Sequence, residues 1–242
     1  MLEQNRQIVL FGDFNAITFD AIDKLIDIKT KYGLHIQAAP DYNIPNVIPQ
    51  QNRINGPMVL PGSLGVIAQG RPVLQTSAGT LSIFLGSGRL HVEEINQAHE
   101  SYDAFCDKAK DILKSILSAF DVKIVRVAMN GQLFDCDANI MNTLYANIFN
   151  QSKVILSNSD EWQFRINNIT TNKELQCDFN NIISMNRNIN FDTSGKKQDV
   201  LSITYDINTR PGIDRLFSYD DIEVFCKQGN LFRDILLQYM RK

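Results

Sequence analysis

The chain has 242 residues, of which 44% are hydrophobic, and its formal net charge is −3 at pH 7. These totals allow one large domain or two small ones around a sizeable core, and a nearly neutral chain does not favour a protein that holds nucleic acid through a broad basic surface. The sequence has no leader-like start and no apolar run near about 18 residues, so it predicts a cytoplasmic protein.

The first half begins with an apolar strand in IVLFGDFNAITFD, which starts at Ile8 and runs into a turn. A helical pattern with Ile22, Leu25 and Ile26 follows, and it should end near Gly33 because glycine readily adopts the conformation that terminates helices. Alternating segments come next, separated by turn residues as antiparallel hairpins require: LHIQAA, GVIAQ, PVLQT, TLSIFLG and RLHVEE. Residues 101–120 then show the apolar spacing of a long amphipathic helix, with Ser101 as its N-cap.

The second half repeats this order. A strand starts at Ile124 in IVRVAMNGQLFD, and a helical pattern follows with Ile140, Met141, Leu144, Tyr145 and Ile148. The alternating segments are EWQFRIN, KELQCDF, NIISMNR and DVLSITYDIN, and a long helix over 218–240 closes the half, with Gly229 as a possible kink or point of division. Both long helices open with Ser-Tyr-Asp and continue with Phe-Cys, at Phe105 and Phe225.

The repeated order predicts an α+β protein built by tandem duplication of strand–helix–four or five antiparallel strands–long helix. The pseudo-repeats are 1–120, with a proline-rich insertion at 40–61, and 121–242. We expect them to pack as a single globular unit with one curved antiparallel sheet and helices on one face. The four cysteines form no CxxC pair, and we expect buried free thiols: Cys106, Cys136, Cys177 and Cys226.

This order of elements resembles the duplicated fold of the TATA-binding-protein family, whose half-repeat is strand–helix–four strands–helix. The resemblance covers most of the chain as an order of elements and implies that fold. It does not carry over DNA bending, because the phenylalanine pairs with which that family kinks DNA are not matched here residue by residue. The run RPVLQTSAGTLSIFLGSGRLHVEE and the Tyr-x-x-Phe helix after it are similar to a sporadically distributed bacterial family, which implies no known chemistry.

Strand residues alternate between apolar and polar along several segments, so one face of the sheet is predicted to be apolar and the other polar. Trp162, Phe164 and Ile166 alternate with Gln163, Arg165 and Asn167, and Leu90 and Val92 alternate with Arg89, His91 and Glu93. Helices should cover the apolar face. The polar face, rich in amides and hydroxyls, is left for water or a partner, and the pattern argues against a closed fold around an apolar ligand.

The segment 40–61 holds five of the seven prolines, which disfavour regular structure. It also carries apolar residues that need a surface to cover: Tyr42, Ile44, Val47 and Ile48. Two interpretations stay open. The segment folds back over its own sheet edge, or it is an arm that grips another subunit.

No catalytic residue and no cofactor site is predicted. His91 and Glu93 share a strand face and His99 follows, which could hold a divalent metal, but surface polar residues are the simpler interpretation. Asp135-x-Asp137-x-Asn139 imitates the start of a calcium loop and lacks its glycine and glutamate, so helix capping is expected instead. LGSGRL at 85–90 is expected to be a hairpin turn.

The sequence therefore favours a non-catalytic binding or assembly subunit that acts through the polar sheet face, the proline-rich arm or both. Its expected partner is another protein or a second copy of the chain, with no membrane. Two alternatives remain: a nucleic-acid-binding protein that uses the sheet face, and a metal-dependent hydrolase.

Overall fold

The computed structural model describes residues 2–39, 71–95, 101–148, 161–191, 195–212 and 214–240. Nine strands form one antiparallel sheet: β1 Leu2–Asp13, β2 Leu34–Ala39, β3 Arg71–Thr76, β4 Leu81–Leu85, β5 Arg89–Ile95, β6 Lys123–Asp135, β7 Trp162–Asn172, β8 Cys177–Phe191 and β9 Lys197–Thr209. The described α-helices are α1 Ile26–Tyr32, α2 Tyr102–Ala119, α3 Ala138–Ile148 and α4 Tyr219–Met240, and a 3₁₀ helix, Ile22–Leu25, leads into α1. The prediction of an α+β protein with an antiparallel sheet is confirmed.

The strands lie in the order β2-β3-β4-β5-β1-β6-β9-β8-β7. β1 and β6, the first strands of the two halves, are neighbours in the middle of the sheet, and Val9 pairs with Ala128 there. Beside each of them lies the last described strand of its own half, β5 or β9. The strands of one half therefore lie on one side of the β1–β6 pair and those of the other half on the opposite side.

Local sequence signals place the helix ends as predicted. Ser101 caps α2 by accepting a hydrogen bond from the backbone N–H of Ala104 at 3.1 Å. Ser218 and Asp221 form a reciprocal capping box at the start of α4, with Asp221 also accepting from the backbone N–H of Ser218 at 2.8 Å. Gly33 ends α1 with φ of 61°, the left-handed conformation for which glycine is suited.

The second half differs from its prediction in two elements. KELQCDF and NIISMNR are not two strands: one strand, β8, runs through the predicted turn at Asn180 and Asn181 because β7 and β9 pair with it on both sides. Leu175 lies in the turn before β8 rather than in a strand, although its side chain is buried. The helix also does not divide at Gly229, since α4 is continuous there.

The helices pack on one face of the sheet, which we call the helix face. Phe225 of α4 makes an edge-on ring contact with Phe179 of β8, and Tyr145 of α3 lies against Trp162 of β7. The buried apolar residues of both halves form one continuous cluster on this side. Two predicted members of the apolar pattern are instead exposed, because Ile26 points away on α1 and Ile166 lies on β7, the last strand at one end of the described sheet.

On the helix face, neighbouring side chains pack so closely against two glycines that an added Cβ would overlap them. A Cβ at Gly131 would come 2.2 Å from the hydroxyl of Tyr205, directly opposite on β9. A Cβ at Gly229 would come 2.5 Å from the terminal methyl of Met129. The cysteines follow the same burial: three are buried free thiols as predicted, but Cys136, which follows β6, is exposed.

Charged side chains also lie in this interior. Arg6 of β1 donates from Nε to Glu94 of β5 at 2.9 Å, and Lys108 of α2 contacts the other oxygen of Glu94. Glu3 of β1 is held by Arg233 of α4, whose Nε lies 3.0 Å from Oε1. Because all of these residues except Lys108 are buried, each charge needs its partner. The pairs tie both long helices to the central strands.

None of the helices in the described ranges is long and apolar enough to cross a membrane.

Candidate binding face

The other face of the sheet, which we call the open face, is covered by none of the described helices. Its side chains line up in rows across the strands, because directly paired residues point the same way. One polar row runs from Ser82 through Glu93, Gln7 and Asn130 to Asp206. The alternation in the sequence predicted this face correctly: Gln163, Asn167 and Thr204 are exposed on it.

Hydrogen bonds between side chains connect the second-half strands on the open face. The Asn180 amide donates to Asn208 Oδ1 at 3.1 Å, and Asn208 donates to Asp206 Oδ1 at 2.9 Å. Asn130, oriented so that its amide nitrogen donates, reaches the same Asp206 oxygen at 2.9 Å. Burial raises the pKa of Asp206, although the hydrogen bond from Asn208 and the charges of Arg126 and Arg165 oppose that shift.

A second feature of the open face is an arginine–phenylalanine–arginine row at the end of the central strands, which we call the basic row. Phe11 of β1 pairs directly with Arg89 of β5 on one side and with Arg126 of β6 on the other. The guanidinium carbon of Arg126 lies 5.0 Å from the centroid of the Phe11 ring, and that of Arg89 lies 6.0 Å from it. Both cations therefore converge on one aromatic ring.

The basic row has few polar contacts within the described residues. Arg126 donates from Nε to the backbone oxygen of Thr209 at 3.2 Å. The buried Nε of Arg89 has no hydrogen-bond partner. Burial lowers the pKa of Arg89 despite Glu93, and burial lowers that of Arg126 despite Asp206. The two arginines are thus partly buried cations with few polar partners among the described residues.

The weak metal candidates are only partly brought together. His91 and Glu93 lie side by side on β5, with Nε2 3.9 Å from Oε2, and His99 lies outside the described residues. Burial, reinforced by the charge of Arg89, lowers the pKa of His91 to about 3, so the ring is neutral. It stacks on Phe84 with 5.2 Å between ring centroids. Within the described ranges no three His, Cys, Asp or Glu side chains form a group that could hold a metal ion.

The other predicted features fall into two groups. Asp137 accepts from the backbone N–H of Asn139 at 2.8 Å at the start of α3, which confirms capping, and Gly86 donates to the Arg89 carbonyl at 2.9 Å, which confirms the 85–90 hairpin. The predicted interaction residues of the proline-rich arm lie outside the described residues: Tyr42, Ile44, Val47 and Ile48.

Sequence reasoning missed the basic row as a unit. The alternation placed Arg89 on the polar face, but Phe11 and Arg126 belong to segments that read as plainly apolar. Only the register of β1 with β5 and β6 brings the three side chains together. Comparison with known proteins finds no matching family model, no matching curated protein and no matching solved structure.

Proposed function

We propose that the protein is a non-catalytic binding or assembly subunit that docks a protein partner on the open face of its sheet. The observation that carries this proposal is the contrast within that face: exposed amides and hydroxyls surround partly buried charged groups that have few polar partners. Buried polar groups that lack partners are expected where a bound partner supplies them. A cytoplasmic location remains part of the proposal.

The direct test is affinity purification of the native protein followed by mass spectrometry for proteins and for bound nucleic acid. Thr204→Arg places a bulky charge at an exposed position of the open face, and Ser118→Arg does the same on the outer side of α2. We expect a stoichiometric protein partner that Thr204→Arg releases and Ser118→Arg keeps. A partner that survives both substitutions would place docking elsewhere.

We also propose that the chain arose by tandem duplication and adopts a curved sheet similar to that of the TATA-binding-protein family. Support comes from the strand order, in which each half puts its first strand at the centre and its last strand beside it. Superposing residues 5–120 on 121–242 in an experimental structure should align α2 with α4 and β1 with β6. Different strand orders after superposition would contradict the duplication.

Nucleic-acid binding is the second candidate, favoured by the arginines on the open face. Glu93 and Asp206 on the same face disfavour repeated phosphate contacts. Phosphate binding weakens steeply as salt rises, and we expect no tight, salt-sensitive binding to duplex DNA at physiological salt. Sub-micromolar binding with a steep salt slope would promote this candidate.

A metal-dependent hydrolase would use His91, Glu93 and His99. It predicts a stoichiometric transition metal in the purified protein that His91→Ala removes. We expect elemental analysis to find none.

The arm at 40–61 is proposed to contribute to a homodimer or a complex with another protein. Replacing 42–58 with a short Gly/Ser linker should reduce assembly in light scattering while the melting transition is largely kept. If the variant unfolds and the parent protein is a monomer, the segment belongs to the protein's own core.

A further inference from the structure

We infer that the basic row is a docking site for a carboxylate of a protein partner, presented by an Asp or Glu side chain or by the partner's C-terminus. This inference rests on the proposed docking function of the open face. It adds the chemistry of the contact and the residues that make it: Arg89, Phe11 and Arg126.

The first support is the arrangement of the row. Two guanidinium groups flank one ring at the same level of adjacent strands, with their central carbons 6.0 Å and 5.0 Å from its centroid. A guanidinium binds a carboxylate through parallel N–H donors, which a phenylalanine between two arginines leaves available. The apolar ring of Phe11 lies beside the contact between guanidinium and carboxylate and keeps water away from it.

The second support is that the buried arginines of the helix face form ion pairs with carboxylates, whereas, within the described ranges, the partly buried Arg89 and Arg126 do not. Arg6 and Arg233 donate to buried carboxylates, and Arg187 donates to Asp199 at 2.9 Å. Among the described residues, Arg89 and Arg126 have no ion pair with a carboxylate, and the buried Nε of Arg89 has no acceptor. A buried donor without an acceptor is costly in the free protein, and a partner carboxylate would remove that cost.

The surroundings favour a peptide over a nucleic acid. The next row carries the buried Val9 and Ala128, and the row after it carries the amides around Asp206, which offer hydrogen bonds; neither row adds a cation. A strand of phosphates needs cations repeated along its path. One acidic group among uncharged polar groups fits this face better. Asp13, at the rim, is turned towards its own loop, where it accepts from Asn15 at 2.9 Å.

The probe is a displayed library of short random peptides, selected on the full chain. Synthetic versions of the enriched peptides, with free and with amidated C-termini, are then titrated by fluorescence anisotropy. We compare Arg89→Gln and Arg126→Gln with Arg165→Gln, which removes the same charge from an exposed position of β7 on the same face. The melting temperature of each variant shows that it is folded.

We expect the enriched peptides to share an acidic residue, or a free C-terminus whose amidation abolishes binding. Arg89→Gln and Arg126→Gln should each weaken binding by about tenfold or more, and Arg165→Gln should change it little. Replacing the shared acidic residue with its amide should weaken binding to the wild type but hardly further to Arg89→Gln.

Peptides that bind without an acidic group, or that ignore both arginine substitutions and are released by Thr204→Arg, would overturn the carboxylate site and leave the docking function standing. A selection that enriches nothing would contradict the docking function itself. If a single-stranded oligonucleotide binds more tightly than the peptides and with a steep salt dependence, the carboxylate site and the protein-docking function are both wrong, and nucleic-acid binding takes their place.

Discussion

Both faces of the sheet carry arginines that are buried or partly buried, but the arginines of the two faces have different partners. On the helix face, Arg6 and Arg233 each hold a buried carboxylate, Glu94 or Glu3, through hydrogen bonds. On the open face, Arg89 and Arg126 share the ring of Phe11, and Arg126 also donates to one backbone oxygen. The first arrangement is what a stable interior requires, and the second is what a site awaiting a partner would show.

The pKa shifts follow this contrast. Burial alone would lower the pKa of Arg233, but the hydrogen bonds and charge of Glu3 hold it above its usual value. Burial lowers the pKa of Arg89 and of Arg126, and nearby carboxylates do not restore it. The folded protein thus stabilises the cation on one face and destabilises the cations on the other.

The largest effect is expected from breaking the pair of Glu3 and Arg233. In Glu3→Gln, the half-exposed Asp234 is the carboxylate that Arg233 keeps, and Tyr205 loses the charged acceptor of its hydroxyl, which lies 2.8 Å away. Removing one partner of a buried pair costs roughly 3–5 kcal/mol of unfolding free energy. Chemical denaturation of wild type and variant measures this loss.

The matched control for this variant is Asp107→Asn, which breaks the surface pair with Lys110 on α2. Pairs of this kind contribute about 0–1 kcal/mol. Equal losses in the two variants would mean that the Glu3 pair is not the interior contact described above. The double variant Glu3→Leu with Arg233→Met should lose less than the two single losses combined.

The next largest effect is a difference in stability between alanine substitutions at two glycines of the helix face. Gly131→Ala drives a Cβ into the buried ring of Tyr205, and overpacking of this kind costs roughly 1–3 kcal/mol. Gly229→Ala meets only the flexible end of Met129 and gains the helix propensity of alanine, about 1 kcal/mol. We therefore expect a clear loss of stability at Gly131 and little change at Gly229 in the same denaturation assay. Similar losses at both would show that Met129 cannot move.

Features that depend on neighbouring residues in the sequence could be predicted, whereas features that depend on strand pairing could not. Helix ends follow from local chemistry, so Ser101 and Gly33 were found where they act. Alternation within a strand gives its two faces, so the polar face was also predicted. The second half failed at Asn180 and Asn181, where pairing with two neighbouring strands overrides the turn preference of asparagine.

Local sequence patterns could not predict the contacts between residues that are far apart in the chain. Glu3 and Arg233 are separated by almost the whole chain, and no spacing rule connects them. Their pairing depends on a register shift in β1 between Glu3 and Asn5, which brings Glu3 to the helix face. The basic row needed the same kind of information, since Phe11 meets Arg89 and Arg126 only through the pairing of three strands.

A smaller effect is expected when the basic row is neutralised. If Arg89 and Arg126 served the fold as Arg6 and Arg233 do, Arg89→Gln and Arg126→Gln would be strongly destabilising. Because their charged forms are disfavoured in the folded state, we expect the unfolding free energy to stay within about 0.5 kcal/mol or to rise slightly. A loss comparable to that of Glu3→Gln would assign the row to the fold and remove the contrast between the faces.

The smallest effect, a change in pH dependence, concerns Asp206, a partly buried carboxylate of the open face. Its pKa is raised from the ordinary value of 3.8, first by burial, so the folded state favours the protonated acid. Below pH 3.8 the residue is protonated in both states and has no effect. As the pH rises through 3.8 towards the folded-state value, the unfolded chain loses its proton first, and stability falls to a level that persists at neutral pH.

Asp206→Asn cannot titrate, and its amide retains an oxygen for the donors from Asn208 and Asn130. The stability of Asp206→Asn relative to the wild type should therefore increase from pH 3 towards neutrality and then level off, whereas the exposed Asp20→Asn serves as the charge-matched control. Melting curves recorded across this range decide the matter: a difference that shrinks as the pH rises would mean that the folded protein holds Asp206 as a stabilised anion, and the open face would then resemble the helix face in how it treats its charges.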